Sequence, residues 1–152
     1  MNVDGTFEGD LIRPLGLVTL YFGYAEFEVD MLLDTLNGAG VLCDTPKSAP
    51  FGQRLGAVRD LLSQQQMAEA AELVSIIDEG RPLIELRNVL VHSCILAGGR
   101  VKPSEKSRCE RSVTPQQLHD LANAIFTWKD ELSVARQKRL MPALQRRSDG
   151  GA

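Results

Sequence analysis

The stretch Pro82-Leu83-Ile84-Glu85-Leu86-Arg87-Asn88-Val89-Leu90-Val91-His92-Ser93 is where a reading of the fold starts. Its apolar residues recur at helical spacing, so it reads as one helix running to about Leu96. At 100° per residue, Arg87 and His92 sit about 140° apart and do not share a face. Glu85, Asn88 and His92 do, and Arg81 lies one turn further back, which gives a polar stripe. Arg87 falls among Leu83, Ile84, Leu90 and Val91, where a guanidinium needs an acidic partner.

Upstream, a helical region from about Met67 to Asp78 turns Ala70, Leu73, Val74 and Ile77 inward. Gly80 and Pro82 predict a kink or a brief break before the pattern resumes. Gln64-Gln65-Gln66 is a polar break. Before it, a helix starting near Ser48 or Pro50 presents Phe51, Leu55, Val58 and Leu62 as one buried stripe. Residues 38–50 form a Gly/Pro loop. The first helix is expected to open at Pro14 and to end near Leu36, at an Asn37-Gly38-Ala39-Gly40 run suited to a left-handed cap. Val18, Phe22, Ala25, Val29, Leu32 and Leu36 line one side of it, while Glu26, Asp30 and Asp34 step along a solvent stripe. Glu28 does not join that stripe. It stands between Tyr24 and Met31 in the apolar sector, where a carboxylate is costly unless paired. Glu28 and Arg87 are therefore the expected partners.

Downstream, Gly98-Gly99 ends the helix, and residues 99–113 are basic and aperiodic, a loop or a small hairpin. Thr114-Pro115-Gln116-Gln117 is a strong helix start, with Thr as cap and Gln at the reciprocal position. Leu118, Leu121, Ile125, Trp128 and Leu132 continue that helix to about Arg139. The reading is an all-α, four- to five-helix up-down bundle over residues 14–140, preceded by an acidic arm (1–13) and followed by a frayed tail (141–152).

The 152 residues are 43% hydrophobic and 24% charged, which suits one soluble domain and excludes global disorder. The longest run without a charge, residues 14–25, falls short of the ~20 apolar residues of a membrane span. The acidic N-terminus predicts no export, and three cysteines without CxxC spacing predict reduced thiols, so the expected compartment is cytoplasmic. Residues 1–34 carry Asp4, Glu8, Asp10, Glu26, Glu28, Asp30 and Asp34 against Arg13 alone. Basic residues concentrate in residues 100–147, so the two poles suit head-to-tail association or contact with a polyanion. Two distant His and three scattered Cys make no zinc set, and neither a phosphate-binding Gly loop nor a Ser nucleophile elbow is present. His119 reads as a surface residue. No metal and no cofactor is expected.

The string Arg87-Asn88-x-x-x-His92, late in the third helical region of a small helical chain, resembles the signature of the HEPN domain family (higher eukaryotes and prokaryotes nucleotide-binding). The resemblance spans about Leu15 to Leu132, but only that string is distinctive. It implies a four- or five-helix bundle, a homodimer, and a metal-independent endoribonuclease whose two Arg/His motifs face each other across the two-fold. His92 would then transfer protons, since an unperturbed His titrates near ~6.5. Arg87 would steady the phosphorane. Asn88 would orient His92 or bind a phosphate oxygen, with Glu28 and Ser93 in support. Arg81, Arg100, Lys102, Arg108 and Arg111 would follow the RNA backbone. Arg136, Lys138 and Arg139 could grip the acidic helix of a second subunit. A toxin or defence role, with an antitoxin or regulatory partner protein, belongs to this reading. The alternative is a non-catalytic HEPN-like module for dimerisation, nucleotide binding or regulation.

Overall fold

A computed structural model describes residues 6–91, 94–95, 100–102 and 111–150. The fold is an all-α helical bundle. Its helices are α1 (Thr6–Gly38), α2 (Phe51–Gln64), α3 (Ala68–Val91), α4 (Pro115–Ala135) and α5 (Met141–Asp149), with a π-helical turn (Arg136–Leu140) joining the last two. Between α3 and α4 lie three short strands, β1 (Cys94–Ile95), β2 (Arg100–Lys102) and β3 (Arg111–Ser112). They form an antiparallel meander in which Cys94 stands opposite Lys102, and Val101 opposite Arg111. The basic loop or hairpin of the sequence is this meander. No helix among the described residues is long and apolar enough to cross a membrane.

The chain divides into two compact units. One comprises Met1–Gly23 and Arg81–Phe126, the other Tyr24–Gly80 and Thr127–Ala152. In the first, Leu11, Val18 and Phe22 of α1, Ile84 and Leu90 of α3, and Leu118, Leu121, Ala122 and Ile125 of α4 are buried. In the second, Val29, Leu32 and Leu36, the α2 stripe Phe51, Leu55, Val58 and Leu62, and Leu73, Ile77, Trp128 and Leu132 are buried.

The helix ends follow the local sequence chemistry. At the start of α4 the Thr114 N–H donates to Gln117 Oε1 at 2.9 Å and the Gln117 N–H donates to Thr114 Oγ1 at 3.2 Å, a complete capping box. Beyond α1, Gly40 takes φ +81°. The Val41 N–H then reaches Leu36 O at 2.9 Å and the Gly40 N–H reaches Asn37 O at 3.0 Å. This is the Schellman pattern, which needs a residue tolerant of positive φ at that position.

Three prolines are absorbed where sequence reading expected boundaries. Pro14 cannot donate to the Asp10 carbonyl, yet α1 begins at Thr6, and Leu11 and Pro14 are buried. Residues 6–13 are therefore helix rather than arm, while residues 1–5 lie outside the described residues. Pro82 and Gly80 likewise sit inside an unbroken α3. Gly80 is no breaker but a seat. The Trp128 indole lies so close to its backbone that a Cβ there would overlap the ring. From that position Trp128 Nε1 donates to Ile76 O at 2.7 Å. The third case is the expected frayed tail, which is helix α5 with Ala143 and Leu144 buried. Pro142 cannot donate to the Lys138 carbonyl, and the π turn before it, closed by the Met141 N–H on Arg136 O, absorbs the missing bond.

The close seat at Gly80 yields a stability prediction. Gly80→Ala should improve intrinsic helix propensity, yet destabilise the fold by about 1–3 kcal/mol through overpacking on a rigid ring. Urea unfolding measures it, and a variant as stable as the parent would contradict the seat.

Candidate functional site

Arg87 lies in the penultimate turn of α3, half-buried, on the side that faces α1 in the first unit. Its guanidinium carbon stands 3.9 Å from the ring centroid of Phe22, well within cation–π range. Arg87 Nη1 donates to Asn88 Oδ1 at 3.0 Å, and Nε is shut off from solvent. An aromatic face constrains the tilt of the guanidinium plane, and the amide oxygen constrains its rotation within that plane. The Asn88 carboxamide thus acts on Arg87, its chain neighbour. Arg81 and Glu85, the rest of the polar stripe on α3, are exposed.

His92 and Ser93 follow Val91 directly and lie outside the described residues, as does Arg108. Of the other cations assigned to RNA, Arg100 and Lys102 are the ends of β2 and Arg111 opens β3. In the same unit, the Tyr21 and Phe126 rings meet at 4.9 Å between centroids, tilted by 53°. His119 is half-buried on α4.

The expected pairing of Glu28 with Arg87 is corrected. Glu28, 5% exposed, accepts from Arg136 Nε at 2.5 Å and from Nη2 at 3.5 Å. Arg136, at 6% exposed, opens the π turn and also donates from Nη1 to Met141 Sδ at 3.6 Å. The physical reason is spacing on α4. Trp128, Leu132 and Arg136 recur every four residues, so Arg136 continues the buried stripe and meets the Glu28 carboxylate that α1 turns inward. That continuation was the available signal, and it was missed because Arg136 was grouped with its basic neighbours Lys138 and Arg139. Arg139 also pairs within the chain, with Glu72. Arg136 is thus buried in the frame, while Arg139 keeps an exposed side chain beside Glu72.

The acidic stripe of α1 is engaged as well. Arg54, 8% exposed on α2, pairs with Asp30 and Glu26, donates to Ala49 O at 3.0 Å and lies 5.8 Å from the Phe51 ring. Asp34 pairs with Lys47. Arg59 and Asp78 join α2 to α3 through two hydrogen bonds of 2.7 and 2.8 Å, and these bonds first, then the Asp78 charge, raise the Arg59 pKa.

An open cleft of about 720 Å³ runs beside the end of α1 and α5, lined by Asp34, Thr35, Val41, Met141, Leu144 and Arg147 among others. Its charged groups serve the frame: Asp34 binds Lys47, and Arg147 donates to Gln65 Oε1. Among the described residues no group of three or more His, Cys, Asp or Glu comes together as a metal site. Comparisons with protein-family models, with curated proteins and with solved structures found no match.

The two arginine environments predict different responses. Arg136→Ala leaves the Glu28 carboxylate buried and unpaired and should cost about 3–5 kcal/mol. Arg87→Ala removes, among its contacts, the Phe22 π contact and the Asn88 hydrogen bond, which together are worth about 1–2 kcal/mol. Denaturant unfolding checks the Arg136 value, and a loss below about 0.5 kcal/mol in Arg136→Ala would overturn the assignment of the buried carboxylate to Arg136.

Proposed function

We propose that the chain is a metal-independent endoribonuclease of the HEPN kind, working as a homodimer on RNA in the cytoplasm, as a toxin or defence component under a regulatory partner. The observation that carries the reading is the guanidinium of Arg87, a permanent cation oriented by Phe22 and Asn88 at the end of the helix that leads into His92. A fixed donor group of this kind suits a phosphorane, because charge developing in the transition state meets a donor that needs no reorganisation.

In this reading His92 accepts the proton of a ribose 2′-hydroxyl, and the 2′-oxygen attacks the adjacent phosphorus. The phosphorus–5′-oxygen bond breaks, and the leaving oxygen takes a proton from an acid, the second motif of the dimer. Arg87 neutralises charge on the non-bridging oxygens. The products are a 2′,3′-cyclic phosphate and a free 5′-hydroxyl. Arg81, together with the cations of β2 and β3, supplies sequence-independent attraction to the RNA backbone.

A specific observation also favours a second reading. Arg87 is half-buried with its Nε closed to solvent, so part of its donor capacity belongs to packing. That suits a non-catalytic module in which the same residues hold a dimer or a nucleotide.

Purified protein incubated with a mixed RNA pool in EDTA separates the two. The ribonuclease reading expects cleavage with 2′,3′-cyclic phosphate ends, lowered at least about 100-fold by Arg87→Ala and by His92→Ala. Retention of RNA without cleavage, with the dimer intact, would favour the binding module. Activity that survives in both variants would remove these residues from the chemistry.

A further inference from the structure

We infer that the outward face of α1 docks on the same face of a second copy of this chain, the two helices running antiparallel. The inference goes beyond the ribonuclease reading. Phe22, whose ring Arg87 covers, lies about 130° round α1 from that face, so this contact is separate from one in which two Arg/His motifs meet.

The face departs from what a surface helix needs. From residue 12 to residue 27 the exposed positions of α1 carry a single charge, Arg13. The solvent face of α4, by contrast, shows Gln116, Gln117, Asp120, Asn123, Asp130 and Glu131. A helix that is apolar on its outer side as well as its inner side calls for cover on both. Ile12, Leu20 and Phe27 are 68%, 47% and 63% exposed. Between them stand Gly16 and Gly23, where an added Cβ meets nothing within 4 Å. Glycine weakens a helix interior. At Gly80 the Trp128 indole accounts for it, whereas the space beside Gly16 and Gly23 is open.

The order of these residues identifies the occupant. Ile12, Gly16, Leu20, Gly23, Phe27 and Met31 follow one another by four, four, three, four and four positions on one unbroken helix, within about 100° of arc. That spacing reads the same from either end, as an isologous contact of a helix with its own copy requires. A two-fold between Tyr21 and Phe22 sets Phe27 opposite the partner's Gly16, Leu20 opposite the partner's Gly23, and Ile12 opposite the partner's Met31. Each glycine then receives a bulky side chain, knob into hole. Parallel pairing would set glycine on glycine and Phe27 on Phe27, a gap beside a clash. The stripe covers on the order of 500 Å² per copy, the low end of specific interfaces, so the association is reversible rather than permanent.

Sedimentation equilibrium of the full chain, from about 1 to about 200 µM, tests the contact. The wild type should associate across that range. Phe27→Glu and Gly16→Leu should each weaken the association at least tenfold and leave about half the wild-type mass at the highest concentration. Gly16→Leu enters open space on a helix, so its urea midpoint should hold or rise, and only a docked partner penalises it. Gly16→Phe combined with Phe27→Ala restores a knob opposite a seat in the antiparallel register. It should associate within about threefold of the wild type, whereas Gly16→Phe alone should not. A wild type that stays monomeric, a folded Gly16→Leu protein with wild-type association, or a swap no better than Gly16→Phe alone would overturn the inference. RNA cleavage in EDTA decides the ribonuclease reading separately, whichever of these masses is found.

Discussion

The ion pair between Glu28 and Arg136 is the constraint on which much of the second unit depends. Both side chains are buried, and they join positions 108 residues apart. Each alone would be a charge taken out of water at a cost of several kcal/mol, so each requires the other. The pair ties the middle of α1 to the far end of α4. A buried pair of this type contributes more to the choice of one arrangement than to net stability, because neither charge tolerates a slip that separates them. The π turn beginning at Arg136 belongs to the same design. It absorbs the missing donor of Pro142 and lets Leu140, Ala143 and Leu144 follow Arg136 into the core.

That constraint also bears on Arg87. With Glu28 committed to Arg136, the arginine of the Arg-Asn-x-x-x-His string is oriented by an aromatic face and an amide oxygen. Arg54 and Arg136, the other inward arginines, are held by carboxylates and serve the frame.

Local chemistry was legible in the sequence. The Thr114/Gln117 box, the Gly40 cap, the α2 stripe and the all-helical class all follow from spacing and residue type over a few positions. The misreadings have one physical source, which is that tertiary packing overrides a local preference. Pro14, Pro82 and Pro142 each remove one helical hydrogen bond, a penalty of a few kcal/mol that burial of the surrounding turns offsets. Gly80 with Pro82 suggests a kink or a brief break in sequence, because a sequence does not display the indole that fills the space above Gly80. Glu28 was recognised as needing a partner, but its partner lies 108 residues away, and no local spacing names it. Phe22 was legible as core, but its contact with the Arg87 guanidinium leaves no mark in hydropathy.

The most direct measurement of this account is a double-mutant cycle on Glu28 and Arg136, with Glu28→Leu, Arg136→Met and the two combined, each unfolded in urea. Both single variants should be strongly destabilised, and the double variant should recover most of that loss, a coupling of at least about 2 kcal/mol. Losses that add to within about 0.5 kcal/mol would show that the two charges do not depend on each other and would contradict the account.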